Sequence, residues 1–593
     1  MDLSPVAVRL QSLSPVRFAF CFALAASLGY VLATGHVWED YLITFRHSKN
    51  LAEGRGLVFQ PGERVHGFTS PLGVLLPAAF HRAFGNPESF LPALWCFRVL
   101  GALAFAGGVA FFVCTLVRAG MGVWGLAAAM LLTLEIKGAQ YSVNGQETGL
   151  MIFFLGWSVD LLSRPGPYRW KSLALCWAGL QWTRPDGFVI GGAWALSRIV
   201  FADKEDRRAL FAAYLKALGL SVVLYAPWIV FTTLYYGTPI PHTVVAKSVP
   251  FEPPLRTLKD LENLVTSRMR WVLEPVCFFF GNWPKSEQRF AQTLAIAGAF
   301  VWLLPGGGGL SQFARRASFA YVLILAYFCK ITIYAWYVPP AALLLLASLA
   351  ALTVERPIVT AILVTFSYVA AVLVEEDRLR IGHSSQNLLA IVGALLVYLS
   401  WRTPRWVVRA ALFGGGIAFL AAVFGMQTYQ MSVQQAMIEN RVRTPVGLWL
   451  REHVKANETV YVECLGYIGY FSNCHILDYP GLATPVVAKA HRSREWSKET
   501  SPTERMVLLI PDLKPDWLAL RTSEVRVARR LNLLDGYRVR ATFDVTDELT
   551  DQHPDLPGLG YLMVDSGFTI LQRDPKTGPM GGPENPLSNG PDS

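Results

Sequence analysis

The acidic pair Glu39 and Asp40 follows directly after the first long apolar run of the sequence. Carboxylates at the end of a membrane helix are costly unless they are solvated, paired or used in chemistry. Two interpretations therefore stay open. The pair is either a solvated helix end, or it supplies a general base for an acceptor hydroxyl or a ligand for a divalent cation.

Other residues have side chains suited to a charged substrate. They are Arg46, Arg64, Glu147, Arg184, Asp186, His242, Lys247 and Tyr337. Arg and Lys donate charge-assisted hydrogen bonds to phosphate and carboxylate groups, and so stabilise negative charge on a bound substrate. Because these residues are far apart in the sequence, one site can collect them only if they share one side of a membrane.

Each of these residues also has a structural interpretation. Arg184 and Asp186 can pair with each other to hold a helix break. Glu147 can cap the helix that follows it, and Tyr337 can be an anchor at the membrane interface. The basic residues and His242 are also typical of an ordinary interfacial loop.

Membrane helices are the elements that must position these residues. Of the 593 residues, 53% are hydrophobic and only 16% are charged, a composition that a water-soluble protein of this length does not need. The net charge is +10, but Lys and Arg form short clusters between apolar runs, which argues against a nucleic-acid partner. About thirteen spans are predicted, at approximately 17–34, 93–117, 122–135, 148–163, 172–183, 187–199, 212–234, 291–304, 317–333, 337–353, 357–374, 387–400 and 406–425.

The Lys and Arg clusters predict the orientation of these spans. They fall in alternate loops, including 164–171, 198–208 and 402–409, which the positive-inside rule assigns to the cytoplasm. We therefore expect a multi-pass protein of a bacterial inner membrane with a cytoplasmic N-terminus. The first outer loop is then 35–92, and all candidate site residues lie on the outer face.

Two details of the membrane part bear on the site. The segments 172–183 and 187–199 are each too short to cross a membrane, and the Pro and Gly of the sequence TRPDG at 183–187 separate them. This break places an Arg and an Asp near the outer face. The segment 71–84 is also short and contains a Pro, so we expect it to lie along the outer surface.

The C-terminal part has a different pattern. Short β-branched or alternating runs lie between helical stretches, at 459–463, 474–478, 516–520, 537–545 and 567–573. We divide the chain into a membrane domain at 1–425, an outer soluble α/β domain at 426–573 and a disordered tail at 574–593. Cys464 and Cys474 lie between two predicted strands, and either a disulfide or two free thiols fits the sequence.

Several motifs occur in order along the membrane part. They are NLAEGRGLVF (50–59), GFTSPL (67–72), NGQET (144–148), TRPDG (183–187), YYGTPIPHTVVAK (235–247) and WYVPP (336–340). Together with the acidic pair, they resemble the GT-C superfamily of polyprenyl-phosphate-sugar-dependent glycosyltransferases. Within this superfamily, they resemble the mycobacterial terminal β-(1→2)-arabinofuranosyltransferases and related bacterial membrane proteins.

This resemblance implies a GT-C type membrane domain, a polyprenyl-phosphate-linked sugar donor and a glycan, lipid or protein acceptor in the cell envelope. Where the family has two Asp, this chain has Glu39 and Asp40, so the resemblance implies Asp40 as the base and Glu39 in support. The family often has Met where Gln146 stands and Asn where His242 stands, and a neutral His242 would be a weak phosphate ligand. No cofactor is certain, and the acidic pair is compatible with a divalent cation.

Two hypotheses from other classes remain. A transporter of lipid-linked glycans would need no chemistry, but it should carry ionisable groups near the membrane midplane and internal repeats. The apolar runs of this sequence are nearly free of charge. A scaffold that binds a glycan or a protein would not require the acidic pair and the basic motifs together.

Overall fold

A computed structural model of the chain describes residues 5–86, 89–164, 169–247, 283–328, 334–376, 393, 395, 398–497 and 500–574. The predicted span at 387–400 and the predicted tail at 574–593 lie largely outside these residues. All statements below concern the described part of the chain.

Helices form most of the described residues before the C-terminal sheet. Their bounds are α1 (Pro5–Thr34), α2 (Glu39–Ala52), α3 (Pro71–Phe84), α4 (Leu91–Leu116), α5 (Gly125–Leu134), α6 (Ile136–Val143), α7 (Thr148–Ser163), α8 (Trp170–Thr183), α9 (Gly187–Val200), α10 (Lys204–Tyr236), α11 (His242–Lys247), α12 (Lys285–Phe300), α13 (Gly309–Phe328), α14 (Pro339–Glu355), α15 (Pro357–Glu376) and α16 (Arg405–Val433). Two π-helical segments, Val117–Met121 and Gln434–Arg443, extend α4 and α16.

Four helical stretches are long and apolar enough to cross a membrane: Ser14–Thr34, Leu91–Leu134, Lys204–Tyr236 and Arg405–His453. Shorter apolar helices accompany them, among them α7, α9, α14 and most of α15. The predicted multi-pass helical architecture is therefore confirmed. The number of thirteen spans stays a prediction.

The stretch Leu91–Leu134 is broken between α4 and α5, where two separate spans are predicted. Gly120 and Gly122 there have φ angles of +106° and +59°. Residues with a side chain rarely adopt such angles, whereas glycine does so without a steric penalty. These two glycines therefore allow the chain to leave one helix and begin the next.

The predicted break at 183–187 is present. Helix α8 ends at Thr183 and α9 begins at Gly187, so Arg184 and Asp186 lie in the connection. A Cβ atom at Gly187 would collide with the carbonyl group of Leu180. The glycine therefore lets α9 begin close against α8, which fixes the position of the charged connection.

The predicted outer loop 35–92 is largely helical, because α2 and α3 lie within it. Glu39 and Asp40 occupy the first turn of α2, where carboxylates interact favourably with the helix dipole. The segment predicted to lie along the surface forms α3, whose first turn is capped by Ser70. Helix α3 packs against α2 and α4.

The C-terminal part confirms the predicted strands. They are β1 (Thr459–Val462), β2 (His475–Asp478), β3 (Trp517–Arg521), β4 (Tyr537–Asp544) and β5 (Gly567–Arg573). The strand order is β2-β1-β3-β5-β4; β1 is parallel to β2 and β3, and β5 is antiparallel to β3 and β4. The carboxyl ends of the three parallel strands therefore meet at one edge of the sheet.

Helices surround this sheet. They are α17 (Thr444–His453), α18 (Tyr467–Ser472), α19 (Pro485–Ser493), α20 (Pro502–Val507), α21 (Ile510–Leu513), α22 (Thr522–Arg530), α23 (Thr546–Gln552) and α24 (Leu559–Leu562). Alternate residues of β1 face two cores: Val460 and Val462 one, Tyr461 the other. Ile43 of α2 belongs to the first of these cores and α2 contacts α18, so the helix that carries the acidic pair shares a core with the sheet.

The disulfide left open by the sequence is absent, because Cys464 and Cys474 are both free thiols. Strands β1 and β2 are parallel, and Cys464 follows the carboxyl end of β1 whereas Cys474 precedes the amino end of β2. The two thiols therefore lie at opposite ends of the strand pair. The Cys464 thiol faces Asp565, and the Cys474 thiol faces the Leu450 carbonyl group.

Candidate active site

Asp40 is a half-buried residue on the first turn of α2. No hydrogen bond or ion pair joins this carboxylate to another described residue. Burial raises the pKa of Asp40, and Glu463 adds to this effect, while Lys247 and Arg184 oppose it. A carboxylate that is open to a ligand and more basic than usual can accept a proton from a bound hydroxyl.

Arg184 contacts three other predicted site residues. Its Nε lies 3.0 Å from Oδ1 of Asp186, and its Nη1 lies 3.4 Å from Oε1 of Glu147. The guanidinium also lies 3.9 Å from the ring centroid of Tyr337. The predicted structural pairing of Arg184 with Asp186 is therefore present, and the guanidinium has a wider set of partners than that one carboxylate.

The proposed capping role of Glu147 is absent. Glu147 stands at the N-cap position of α7, but its side chain makes no capping hydrogen bond. The carboxylate is buried and pairs with Arg184 instead. Glu147 thus belongs to the group around the guanidinium.

Lys247, in the last turn of α11, is a second cation in this region. Its Nζ lies 4.4 Å from the ring centroid of Tyr334, which precedes the WYVPP motif. Lys247 is also the largest charged influence on Asp40. The structure therefore brings Asp40, Lys247 and Arg184 into one electrostatic group, although α2, α11 and the α8–α9 connection are far apart in the sequence.

Glu39 faces the opposite way, toward the C-terminal part. Its Oε2 lies 3.2 Å from Nη2 of Arg443, and its Oε1 accepts a hydrogen bond of 3.2 Å from the backbone N–H of Gly466. Arg443 also pairs with Glu439 at 2.9 Å and with Asp565 at 2.6 Å. One buried guanidinium thus holds three carboxylates.

This network continues to the carboxyl edge of the parallel strands. Asp565 also pairs with Nε of Arg521 at 2.5 Å, and Arg521 lies at the end of β3. Arg521 further contacts Glu524 at 3.0 Å and Glu463, the residue after β1. We call the set of Glu39, Glu439, Arg443, Glu463, Arg521, Glu524 and Asp565 the Arg443 network.

Carboxylates outnumber arginines in the Arg443 network, and this affects its members unequally. Burial raises the pKa of Glu39 to about 8; Arg443 opposes the rise, while Glu463, Asp565 and Glu439 add to it. Asp565 is also buried, but Arg443 and Arg521 together hold its pKa below its usual value. Negative charge is therefore concentrated at Asp565, and Glu39 binds a proton more readily.

Besides Glu39 and Lys247, three more predicted residues have no described contact with Asp40 or Arg184. Arg46 donates hydrogen bonds to the backbone carbonyls of Phe59, Gly469 and Cys474. Arg64 is exposed, and its guanidinium lies 5.0 Å from the ring centroid of Tyr235.

His242 is the third of these residues. Its backbone N–H donates to the carbonyl of His66 at 2.8 Å. Burial lowers the pKa of His242, and the charge of Arg492 lowers it further, which makes the imidazole neutral at pH 7.

Sequence reasoning missed most of the Arg443 network. Glu439 and Arg443 are four residues apart, which is a recognisable helical pair. Arg521 directly follows the buried apolar run WLAL at 517–520, and functional residues often follow parallel strands. Asp565 carried no such signal, because it becomes a partner of Arg443 only when β5 folds beside β3.

A metal site is not evident from the ligand groups. Within the described ranges, no group of three or more His, Cys, Asp or Glu side chains is arranged to hold an ion. A divalent cation beside Glu39 and Asp40 therefore stays a prediction.

Comparisons with known proteins relate the two parts of the chain differently. A family model described as "Domain of unknown function (DUF8728)" matches residues 430–560. The terminal β-(1→2)-arabinofuranosyltransferase of Mycobacterium tuberculosis is 27% identical over 221 residues, a match that covers 35% of this chain and 34% of that protein. The match thus spans about a third of the curated relative, and it confirms the resemblance that the motifs indicate.

Two solved structures resemble the fold. ArnT from Cupriavidus metallidurans bound to undecaprenyl phosphate has a TM-score of 0.47 and 13% identity, covering 95% of this chain and 99% of that chain. AglB from Archaeoglobus fulgidus, in complex with an inhibitory peptide and a dolichol-phosphate, has a TM-score of 0.46 and 14% identity, covering 86% of this chain and 69% of that chain.

Proposed function

We propose that this chain is a membrane glycosyltransferase. It moves a sugar from a polyprenyl-phosphate donor to a hydroxyl group of a cell-envelope glycan, lipid or protein. The reaction takes place at the outer face of a bacterial inner membrane, with the N-terminus in the cytoplasm. Arabinofuranose is the first sugar to test, because the motifs and the curated relative both point to that group of enzymes.

The single observation that carries this proposal is the environment of Asp40. Its carboxylate has no protein partner among the described residues, yet it lies in the electrostatic range of Lys247 and Arg184. A general base needs an open carboxylate, and a phosphate-bearing donor needs nearby cations. Both requirements are met beside the same turn of α2.

In the proposed step, the acceptor hydroxyl attacks the anomeric carbon of the donor sugar. A new bond forms between this oxygen and the anomeric carbon, while the bond from that carbon to the phosphate oxygen breaks. The bonding electrons leave with polyprenyl phosphate, and Asp40 takes the hydroxyl proton. Lys247 and Arg184 stabilise the negative charge on the departing phosphate.

The other predicted residues have supporting roles in this proposal. Glu147, Asp186 and Tyr337 hold the guanidinium of Arg184 from three sides, which fixes its direction. Glu39 fixes the first turn of α2 through Arg443 and Gly466. Such orientation matters because catalytic groups must be held in the productive geometry.

The test uses the full-length protein, purified in detergent and supplied with radiolabelled polyprenyl-phospho-arabinofuranose and an envelope glycan acceptor. Release of polyprenyl phosphate together with label in the glycan is the expected result. Replacing the base with Asp40→Asn should lower the rate by about 10²–10⁴-fold, the usual contribution of a general base. Asp206→Asn, at an exposed position of α10, is the matched control and should keep the wild-type rate.

Two other results would contradict the proposal. Passage of the intact lipid-linked sugar across a vesicle membrane, without release of polyprenyl phosphate, would instead establish the transporter. Wild-type activity in Asp40→Asn would remove Asp40 from the role of base. A second donor, polyprenyl-phospho-mannose, tests whether the sugar is arabinofuranose.

A further inference from the structure

Aromatic rings form a continuous cluster beside the Asp40 group. Neighbouring ring centroids in it are 4.8–6.1 Å apart, the usual spacing of packed aromatic side chains. We call this set the aromatic cluster, and its members are Trp38, Tyr141, Tyr334, Trp336 and Tyr337. Trp38 directly precedes α2, Tyr141 lies in α6, and the other three lie between α13 and α14. The cluster therefore joins three distant parts of the chain.

Two rings of the aromatic cluster contact the cations of the site. Nζ of Lys247 lies 4.4 Å from the ring centroid of Tyr334, and the Arg184 guanidinium lies 3.9 Å from that of Tyr337. A cation within about 6 Å of an aromatic face is attracted by the negative charge of that face. The two rings are themselves 5.7 Å apart. Both cations therefore rest on adjacent rings of one packed unit.

The other end of the aromatic cluster contacts the start of α2. Trp38 is the N-cap residue of α2 and stands two residues before Asp40. Its ring lies 5.7 Å from that of Trp336, which in turn stacks on Tyr334 at 4.8 Å with an angle of 15° between the ring planes. Three rigid side chains thus connect the turn that carries Asp40 to the ring under Lys247.

Lys247 and Arg184 are held in different ways. Arg184 has the carboxylates of Asp186 and Glu147 as partners. Among the described residues, no hydrogen bond or ion pair holds the ammonium group of Lys247, and the ring of Tyr334 is its printed contact in this region. A lysine has a flexible side chain of four carbons, and this one is in the last turn of a helix of six residues. Its position therefore depends on the ring.

An aromatic support has a chemical advantage over a carboxylate. A carboxylate partner would neutralise the ammonium charge and accept its hydrogen bonds. A ring attracts the charge with its face, and the N–H groups that point away from the ring stay available to a phosphate. Such a lysine is fixed in place and still able to bind an anion.

We propose that Tyr334 is a positioning residue that holds the ammonium group of Lys247 at the donor side of Asp40. Trp336 supports the Tyr334 ring from the side of α2. Tyr334 acts through Lys247 and not on the donor itself. This inference rests on the proposed transferase function, because it assigns the geometry of the cation that binds the donor phosphate in that reaction.

The experiment compares variants of the full-length protein in the transfer assay. Tyr334→Phe keeps the ring and removes only the hydroxyl group, whereas Tyr334→Leu removes the ring. Tyr368→Leu, at an exposed position of α15, is the matched control for loss of a tyrosine ring. The melting temperature in detergent is recorded for each variant.

Tyr334→Leu should lower kcat/KM for the donor by about three- to tenfold, the size of effect that loss of one cation–π contact produces. The rising limb of the pH profile should move to higher pH, because a displaced Lys247 no longer lowers the pKa of Asp40. Glu463 and Arg184, the other charges that act on Asp40, are unchanged in these variants. Tyr334→Phe and Tyr368→Leu should keep the wild-type rate and profile.

A double-mutant cycle separates positioning from a merely structural role. In the Lys247→Gln background, Tyr334→Leu should cause no further loss of kcat/KM and no further movement of the limb, since the side chain that it positions is gone. The same loss in both backgrounds overturns the inference, and so does an equal loss in Tyr334→Phe.

Two further measurements cover the remaining outcomes. If Tyr334→Leu fails to fold, trifluorophenylalanine at position 334 keeps the ring shape but withdraws charge from its face, and it must be slower than Tyr334→Phe. Retention of undecaprenyl phosphate, followed by native mass spectrometry, should be weaker in Tyr334→Leu than in Tyr334→Phe. A wild type that binds this lipid without transferring sugar contradicts the proposed function alone. An active wild type with equal rates and equal retention in both Tyr334 variants contradicts this inference alone.

Discussion

Glu39 and Asp40 are neighbours in the sequence, but they belong to two regions with opposite electrostatic character. The pKa of Asp40 is lowered by the charges of Lys247 and Arg184, and its carboxylate has no described protein partner. Glu39 faces the Arg443 network, where its carboxylate already has a guanidinium and a backbone N–H as partners. The same chemical group is therefore available for reaction at one position and used for attachment at the next.

The comparison separates reaction from positioning. A carboxylate with fixed partners cannot approach a substrate without breaking them, whereas one without partners can. Because the two residues share one helical turn, fixing Glu39 also fixes the backbone of Asp40. We therefore expect changes in the Arg443 network to act on stability first, and changes around Asp40 to act on the reaction and its pH dependence.

The largest expected effect comes from Arg443→Gln. This change leaves Glu39, Glu439 and Asp565 buried without their shared cation. Removing one partner of a buried ion pair costs about 3–5 kcal/mol, so the melting temperature in detergent should fall sharply. Transfer activity should fall with it.

Arg441→Gln is the matched control, two residues away. Arg441 pairs with Glu548 at the surface, so its replacement should change the melting temperature little. Equal destabilisation by both changes would show that the three carboxylates of Arg443 are not held as described.

A smaller effect is expected from Lys247→Gln. Loss of a charge-assisted contact to the donor phosphate should lower kcat/KM by about 10- to 100-fold. Lys247 also opposes the burial that raises the pKa of Asp40. Without it the pKa rises further, so the limb on which activity increases with pH should move to higher pH.

Steady-state rates measured across a pH series check both effects, with the exposed Lys455→Gln as the control. If the rising limb of the pH profile does not move in Lys247→Gln, or moves to lower pH, then Lys247 does not lower the pKa of Asp40.

The smallest effect, with the opposite sign, is expected from Glu463→Gln. Glu463 raises the pKa of Asp40, so its removal should lower that pKa and move the rising limb to lower pH. The exposed Glu452→Gln should leave the profile unchanged. Because Glu463 also contacts Arg521, the melting temperature is recorded for both variants. A rising limb that moves to higher pH, as in Lys247→Gln, would show that the charge of Glu463 does not raise the pKa of Asp40.

Local patterns made the strands and the helix break predictable. The alternating runs of the C-terminal part and the sequence TRPDG each determine backbone structure through neighbouring residues. The predicted membrane topology assigned Asp40, Arg184, Glu147 and Tyr337 to the same outer face, so their grouping could be predicted from the sequence. The disulfide was left open because adjacent parallel strands do not guarantee that two Cβ atoms align, and the observed strand pair separates the two thiols by placing them at its opposite ends.

The Arg443 network could not be predicted, because its partners meet only in the folded chain. Glu39 and Asp565 are more than five hundred residues apart, and neither has a local signal for the other. Arg46 shows the converse problem. An Arg near an acidic pair is typical of a phosphate ligand of the same site. The side chain of Arg46 instead extends toward α18, where it donates to the backbone carbonyl of Gly469.

The helical stretch Arg405–His453 runs without interruption from an apolar span to Arg443 and beyond. The boundary predicted between 425 and 426 lies inside this stretch, and a chimera joined there would keep Arg443 with Glu439 and Asp565 but separate it from Glu39. A C-terminal graft from a relative should function only if the donor segment begins ahead of Gln434 and position 39 is exchanged with it. Because Glu39 and Arg443 pair with each other, substitutions at these two positions should occur together among relatives.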